Sequence, residues 1–381
     1  MSNTKKYWVT LSPLGKFFFG GDMTFTVGSE KEKQGHNEYY SSYMIESNKF
    51  PQQTSLLGMM RYYLLTKNPE VFDNQSQTIK DTKKEQVKQL IGEHSFSVVD
   101  EHKSLNSFGK ILSLGPCFLV RNGEVFLPAS KDYGFEVKFD RSQKNGDNLY
   151  NGKEFWVPQI EGFDPKKEQK QMYVGLTGKN IKEESDIFVE DLRVGINKSY
   201  DGKSDGKGFY KQVSYRLADG FGFAFVCELK DYELTDCQHE IVSLGADGSK
   251  FMMSAVEISD DKMDIPDECA GESLLITVNK TDVSKLPRVI LLSDSLLTQD
   301  IVDMSIYSIA EQVPFRFLRS CIDVKNYTIL SSEVKRCDKY YLYQKGSVFY
   351  FETLEQASKF QDAVEGIKEF YQIGYNYCKI K

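Results

Sequence analysis

RVGINKSYDGKSDGKGFYKQVSYRLADGFGFAFVCEL, Arg193 to Leu229, decides how the rest of the chain is read. Two runs with strand alternation flank Lys198 to Gly208, a tip built only from Lys, Ser, Tyr, Asp and Gly. Gly202, Gly206 and Gly208 free the backbone for positive φ, and the tip has almost nothing to bury, so the segment reads as a projecting hairpin. From Arg193 to Arg216 the cations Arg193, Lys198, Lys203, Lys207, Lys211 and Arg216 face only Asp201 and Asp205, a local positive excess in a chain of net charge −7. Tyr200, Phe209, Tyr210 and Tyr215 are interleaved with them. Cations for phosphate and flat rings for bases are the components of a single-stranded nucleic-acid site. The plainer alternative is an edge hairpin whose lysines block strand pairing.

Composition bounds the rest. A chain of 381 residues with 40% hydrophobic and 13% aromatic content folds, has room for about two domains and favours sheet. The N-terminus, MSNTKKYWVTLSPLG, enters strand alternation at once, and no segment approaches the ~20 apolar residues of a membrane span, so the expectation is a cytoplasmic chain without a membrane partner. Seven cysteines without a C-x-x-C pair suggest neither a disulfide framework nor a zinc ribbon. The acidic balance argues against a free-standing high-affinity nucleic-acid binder, because such affinity comes from phosphate neutralisation. RNA contact is therefore expected to be local or shared with a partner.

In order along the chain, Tyr7 to Leu11 opens as a strand, followed by the aromatic run Phe17-Phe18-Phe19 and Gly20-Gly21. Residues 28 to 48 read as a loop. Pro51 to Leu65 predicts a helix capped by Thr54 or Ser55, with Leu56, Met59, Met60, Tyr63 and Leu64 on its apolar face. Lys67 to His94 is polar and reads as a peripheral insertion, weakly helical from Thr78 to Leu90. Ile111 to Asp132 is a hairpin turning at Asn122-Gly123. A Lys- and Asn-rich stretch from Lys138 to Lys153 and a loop to Lys170 precede the basic hairpin. In Ile241 to Ile258, Gly245-Ala246-Asp247-Gly248-Ser249-Lys250 separates two apolar runs; it suits either a phosphate-cradling nest, with Lys250 adding charge, or an ordinary hairpin turn. The acidic Ser259 to Gly271 marks a domain boundary. Beyond it come strand-like SLLITV and RVILL, a short helix around Leu296 to Ile309, a hairpin from Tyr340 to Glu352 turning at Lys345-Gly346, a helix from Thr353 to Gln372 with Thr353 and Gln356 as a capping box, and a closing strand. The pattern predicts an α+β fold of two ferredoxin-like domains with inserted β-hairpins and loops, residues 1–262 and 263–381.

A catalytic constellation does not assemble. His36, His94, His102 and His239 include no metal motif, and His36 in a polar loop, or the neighbouring Tyr39 or Tyr40, is a candidate general base only in isolation. Gly175 to Asn180 is too short for a P-loop, and Glu183-Glu184 and Asp260-Asp261 read as solvated faces. The expectation is a binding protein without cofactor or metal.

Several landmarks together resemble one family. They are Thr54 to Leu65 with Gly58 and Arg61, LGPCFLVRNGEVFLPASKD (Leu114–Asp132), RVGINK with GFYKQVSYRL, LGADGSKFMMSAVE, RVILLSDSLL, KGSVFYFE (Lys345–Glu352) and the closing GYNYCKI. Their order resembles the RAMP-superfamily subunit of type III-B CRISPR (Cmr) effector complexes. The resemblance implies two RRM-related ferredoxin-like domains and no nuclease activity. It implies a subunit that holds the 5′ tag of the crRNA in antiviral defence, beside the large polymerase-like subunit and neighbouring RAMP backbone subunits. It also implies a thumb-like hairpin, residues 193–229, wedged near the junction of tag and guide, with target RNA near that junction. On these residues the expected contacts are Lys198, Lys207 and Lys211 on phosphates, Phe209 or Tyr210 stacking on a base, Asn197 within RVGINK, and the 245–250 loop, through Gly245, Gly248, Ser249 and Lys250, along the backbone. Arg61 and Arg193 are supporting candidates. The competing expectation is a guide-RNA-processing endoribonuclease of the same superfamily, with His36 as its base.

Overall fold

The computed structural model describes residues 3–381 apart from 22–23, 28–41, 99–105, 142–155, 163, 165, 167–169, 199–203, 236, 259–285 and 320–334. The expected domain boundary at 262, the SLLITV run, His36, Tyr39, Tyr40, His102 and Asp260-Asp261 all lie outside the described residues. What is described is strand-rich α+β structure with several antiparallel sheets and few helices.

The opening strand, Thr4–Pro13, buries Tyr7, Val9 and Leu11 on one face, as period-two alternation dictates. It sits between Phe221–Lys230 and Lys250–Ile258, antiparallel to both, in a sheet that continues through Phe118–Arg121 to Glu124–Pro128 and beyond. Phe221–Lys230 is buried along nearly its whole length, which explains why it reads as a continuous apolar run. Asn122 (φ 51°) and Gly123 (φ 81°) form the tight turn expected between two of these strands. The helix Gln53–Thr66 packs its apolar face on the sheet; it begins after Gln52, slightly earlier than the Thr54 or Ser55 cap expected from sequence.

Two inserted segments are more integrated than their polarity suggests. In the 67–94 segment the helix Lys84–Ile91 sends Val87, Leu90 and Ile91 into the main core, so this stretch is not peripheral. Three apolar positions on one face of a short helix suffice to bury it, however polar the remainder. Within 137–160, Val137–Arg141 pairs with Trp156–Ile160, and Val137 and Phe139 cover one face of the C-terminal sheet.

That C-terminal sheet orders its strands Tyr307–Ile309, Val348–Tyr350, Arg288–Leu291 and Cys378–Ile380. Its opposite face buries Phe349 and Phe351 against Ala357, Phe360 and Val364 of the helix Leu354–Glu365. Thr353 and Gln356 form the expected capping box. The helix ends at Gly366 instead of running to Gln372, and a separate turn, Lys368–Tyr371, follows. The helix expected around 296–309 shrinks to Gln299–Val302, followed by a strand.

The main core crosses the chain: Phe96 meets Phe317 at 4.9 Å and Phe370 at 5.4 Å between ring centroids. The buried Asp132 carboxylate is ion-paired with Arg288 and accepts a 2.5 Å hydrogen bond from the Tyr350 hydroxyl.

Candidate nucleic-acid interface

The basic hairpin is the longest strand pair in the fold: Phe188–Lys198 runs antiparallel to Ser204–Leu217, from Phe188 opposite Leu217 outward to Lys198 opposite Ser204. Its root is buried through Phe188, Val213 and Tyr215, while Leu192 and Val194 further out are more than half exposed. The second strand also pairs in parallel with Ser42–Glu46, inside the segment expected to be loop, so the hairpin is braced as part of a four-stranded sheet. Of the tip expected over Lys198 to Gly208, residues 199–203 are outside the described residues, while Lys198 and Ser204 to Gly208 belong to the two strands.

One residue run holds the root in place. Phe17 exchanges backbone hydrogen bonds with Tyr215, the Phe18 carbonyl accepts from Ala246 N–H, and the Phe19 carbonyl accepts from Asn48 N–H. The rings of Phe17 and Phe19 are buried against Phe223 and Phe251. Phe17-Phe18-Phe19 thus ties the hairpin, the 245–250 loop and the entry to the first helix to one aromatic core. Sequence reading saw the run but not this role, because the pairings of Phe17 with Tyr215 and of Phe18 with Ala246 each span more than 190 residues and leave no local signature.

One face of the hairpin concentrates charge. Asp191 accepts from Arg216 Nη2 at 2.7 Å and from Lys16 Nζ at 3.3 Å, and Arg193 Nε lies 3.8 Å away. Three cations therefore share one carboxylate, and the Arg216 hydrogen bond, followed by Lys16, holds the Asp191 carboxyl below the usual range. The Arg193 and Arg216 side chains remain 64% and 60% exposed, open to an anion in solvent. On the same face Tyr210 stands opposite Gly195, its phenol ring occupying the space a Cβ at 195 would need. Lys16, from the loop after the first strand, is a component that sequence reading missed.

The glycine loop meets this face. The Gln212 amide, opposite Arg193 in the register, is hydrogen-bonded to the Asp247 carboxylate. Lys16, Ser214, Gly248 and Lys250 help line a surface cavity of about 330 Å³ between the hairpin root and the loop. Of the two readings open for the loop, its hydrogen bonding is that of a hairpin turn. Asp247 (φ 55°) and Gly248 (φ 68°) occupy its left-handed positions, and Ser249 N–H donates to the Ala246 carbonyl. Ser249 is buried, its hydroxyl donating to Ala246 and accepting from Phe18 N–H, and Gly245 packs against the Phe18 carbonyl. Lys250 is exposed, its ammonium 2.5 Å from the Ser243 hydroxyl.

The remaining candidates separate. Lys211 is exposed but opposite Val194, on the other face from Arg193. Asn197, Lys198, Lys207 and Phe209 lie on the described hairpin backbone, with Ile196 opposite Phe209. Arg61 is 9% exposed, and its guanidinium donates to the carbonyls of Ile91 and Gly92 at the end of the second helix. It serves the fold, completing the terminus of Lys84–Ile91. Glu183 and Glu184 are ion-paired with Lys170 and Lys49. Among the described residues no group of three or more His, Cys, Asp or Glu is placed to hold a metal ion, and no helix is long and apolar enough to cross a membrane.

Fold and site together define an α+β protein that carries a long cationic hairpin and a glycine turn on one aromatic knot. The family model described as CRISPR-associated protein (Cas_Cmr3) matches residues 157–380, more than half of the chain. The chain belongs to this family and is a subunit of type III-B CRISPR (Cmr) complexes. Among solved structures it is similar to a chain of the type III-B Cmr-beta complex bound to cognate target RNA, at 11% identity and a TM-score of 0.49 over 98% of this chain and 96% of that one. A Cmr-beta structure with cognate target RNA and AMPPnP aligns at 12% identity and a TM-score of 0.46, covering 97% and 95%. A chain of the Csm3-Csm4 subcomplex of the type III-A interference complex aligns at 10% identity and 0.32, covering 90% and 92%. No curated protein matches the chain.

Proposed function

We propose that this Cmr subunit is a non-catalytic RNA holder that grips the 5′ tag of the crRNA with its hairpin and docks the large polymerase-like subunit, close to where target RNA leaves the tag. The observation that carries this reading is the convergence of Lys16, Arg193, Arg216 and Lys250 around the hairpin root, with Tyr210 beside them. Exposed cations neutralise phosphate, and a ring on a rigid strand offers a stacking surface at low entropic cost. An acidic chain can do this when neighbouring subunits complete the channel. The C-terminal strand set supports a ferredoxin-like unit, since it places its first strand, Arg288–Leu291, between its third and fourth, antiparallel to both; the N-terminal sheet likewise seats Thr4–Pro13 between two antiparallel strands, Phe221–Lys230 and Lys250–Ile258.

Photo-crosslinking tests the assignment. In the reconstituted Cmr complex, crRNA carrying a photoreactive base at each tag position in turn is irradiated, and the attached peptide is read by mass spectrometry. Attachment within residues 193–250 is expected; tag crosslinks that map entirely to other subunits would remove the tag-holding role.

A further inference from the structure

The C-terminal part of the chain carries an antiparallel ribbon separate from its four-stranded sheet. Gln312–Phe315 pairs with Tyr340–Tyr343, and Leu318–Arg319 continues it against Lys335–Arg336. Its inner side is anchored. Phe315, Phe317, Cys337 and Leu342 are buried in the main core, where Phe96 packs on Phe317. Phe317 and Cys337 also bond reciprocally, the Cys337 N–H donating to the Phe317 carbonyl at 3.0 Å and the Phe317 N–H to Cys337 Sγ at 3.1 Å. A strand pair held along one side offers the other to solvent as a fixed surface.

The charge of the ribbon says what that surface meets. Over residues 312–319 and 335–343 stand Arg316, Arg319, Lys335, Arg336 and Lys339 against one acid, Asp338, in a chain of net charge −7. Arg319 is the register partner of Lys335, and Arg336 that of Leu318. Like charges directly opposite each other destabilise a ladder, and an anion lying across them offsets that cost. Lysines that only block edge pairing need no such doubling. On the same ribbon the Lys339 ammonium lies 5.3 Å from the centre of the Tyr341 ring, which is 51% exposed, and Leu318 is 61% exposed. Carboxylates of an acidic protein segment would engage the cations alone. An exposed flat ring set among cations matches phosphates that carry unpaired bases.

We propose that this ribbon is a second contact for single-stranded RNA, with its cations on the phosphates and Tyr341 stacking on one base. The inference extends the RNA-holding reading but uses none of the residues of the basic hairpin, so each can fail alone.

The test irradiates the full chain with a short RNA carrying 4-thiouridine and maps the attached peptides by mass spectrometry. Attachment is expected to the ribbon peptide containing Tyr341 as well as within residues 193–250. Tyr341→Ala combined with Lys339→Gln is expected to lower attachment to the ribbon several-fold and to leave attachment within 193–250 unchanged, whereas Tyr341→Phe, which keeps the ring, retains both. Both substituted positions are exposed, so the circular dichroism spectrum should stay native; the peptide map of the unsubstituted chain decides the matter even if a variant does not fold. Attachment confined to 193–250 overturns the proposal and leaves the hairpin reading standing, while attachment confined to the ribbon does the reverse. Polyglutamate that competes as well as RNA of equal charge also overturns it, by assigning the ribbon to an acidic protein segment. In the reconstituted Cmr complex, 4-thiouridine placed in the crRNA or in the target RNA identifies the strand that the ribbon holds; attachment from neither overturns the proposal.

Discussion

Tyr210 and Gly195 stand directly opposite each other on the basic hairpin, and the Tyr210 ring fills the space that a side chain at 195 would take. The glycine thus sets where the ring lies, on the face shared with Arg193.

A side chain at 195 should therefore act through Tyr210. Gly195→Val is expected to weaken RNA retention about as much as Tyr210→Ala, by about 1–3 kcal/mol if one base is stacked. Thermal unfolding should move little, because valine suits a strand and the hairpin beyond its root is largely exposed. Filter binding and a melting curve on the same samples separate the two effects.

Asp132 and Arg288 join segments far apart in sequence. Asp132 is fully buried and Arg288 one-third exposed, so Asp132→Ala leaves a partly solvated guanidinium and an unpartnered Tyr350 hydroxyl and should cost about 1–3 kcal/mol in denaturant unfolding. A loss below about 1 kcal/mol would show that the pair is hydrated in solution.

Arg61 separates fold from interface. Arg61→Met removes donors to two helix-end carbonyls and should destabilise the chain by about 1.5–3 kcal/mol. Retention of RNA by the folded fraction should be unchanged, which a titration at low temperature reads directly.

Lys345 gives a pH signature. With its pKa lowered from 10.5 to about 8 by desolvation, the native state binds fewer protons than the unfolded state between those values. Stability attributable to this residue therefore rises with pH from about 8 to 10.5, and the penalty for burying its charge is fully present below 8. The stability difference between Lys345→Met and the unsubstituted chain should shrink across that window; a flat difference would mean the ammonium is solvated.

Local chemistry made part of this legible in sequence. The Asn122-Gly123 turn, the Thr353/Gln356 capping box and the basic hairpin each rest on residues close together, so short-range rules reach them. Lys16 joins Asp191 from 175 positions away, and Ser42–Glu46 becomes a strand only because the hairpin pairs with it. Arg61 reads as a supporting RNA contact because nothing beside it in sequence shows that it donates to the carbonyls of Ile91 and Gly92. Charge and pattern thus locate candidate residues, while long-range pairing decides which of them face solvent.

The central claim is that the hairpin binds the RNA backbone, and salt dependence tests it most directly. In the reconstituted complex, Lys16→Ala, Arg193→Ala and Lys250→Ala combined should lower crRNA retention and flatten the plot of log affinity against log salt by about 2, since each single-strand phosphate contact contributes about 0.7. An unchanged slope with unchanged retention would contradict the account.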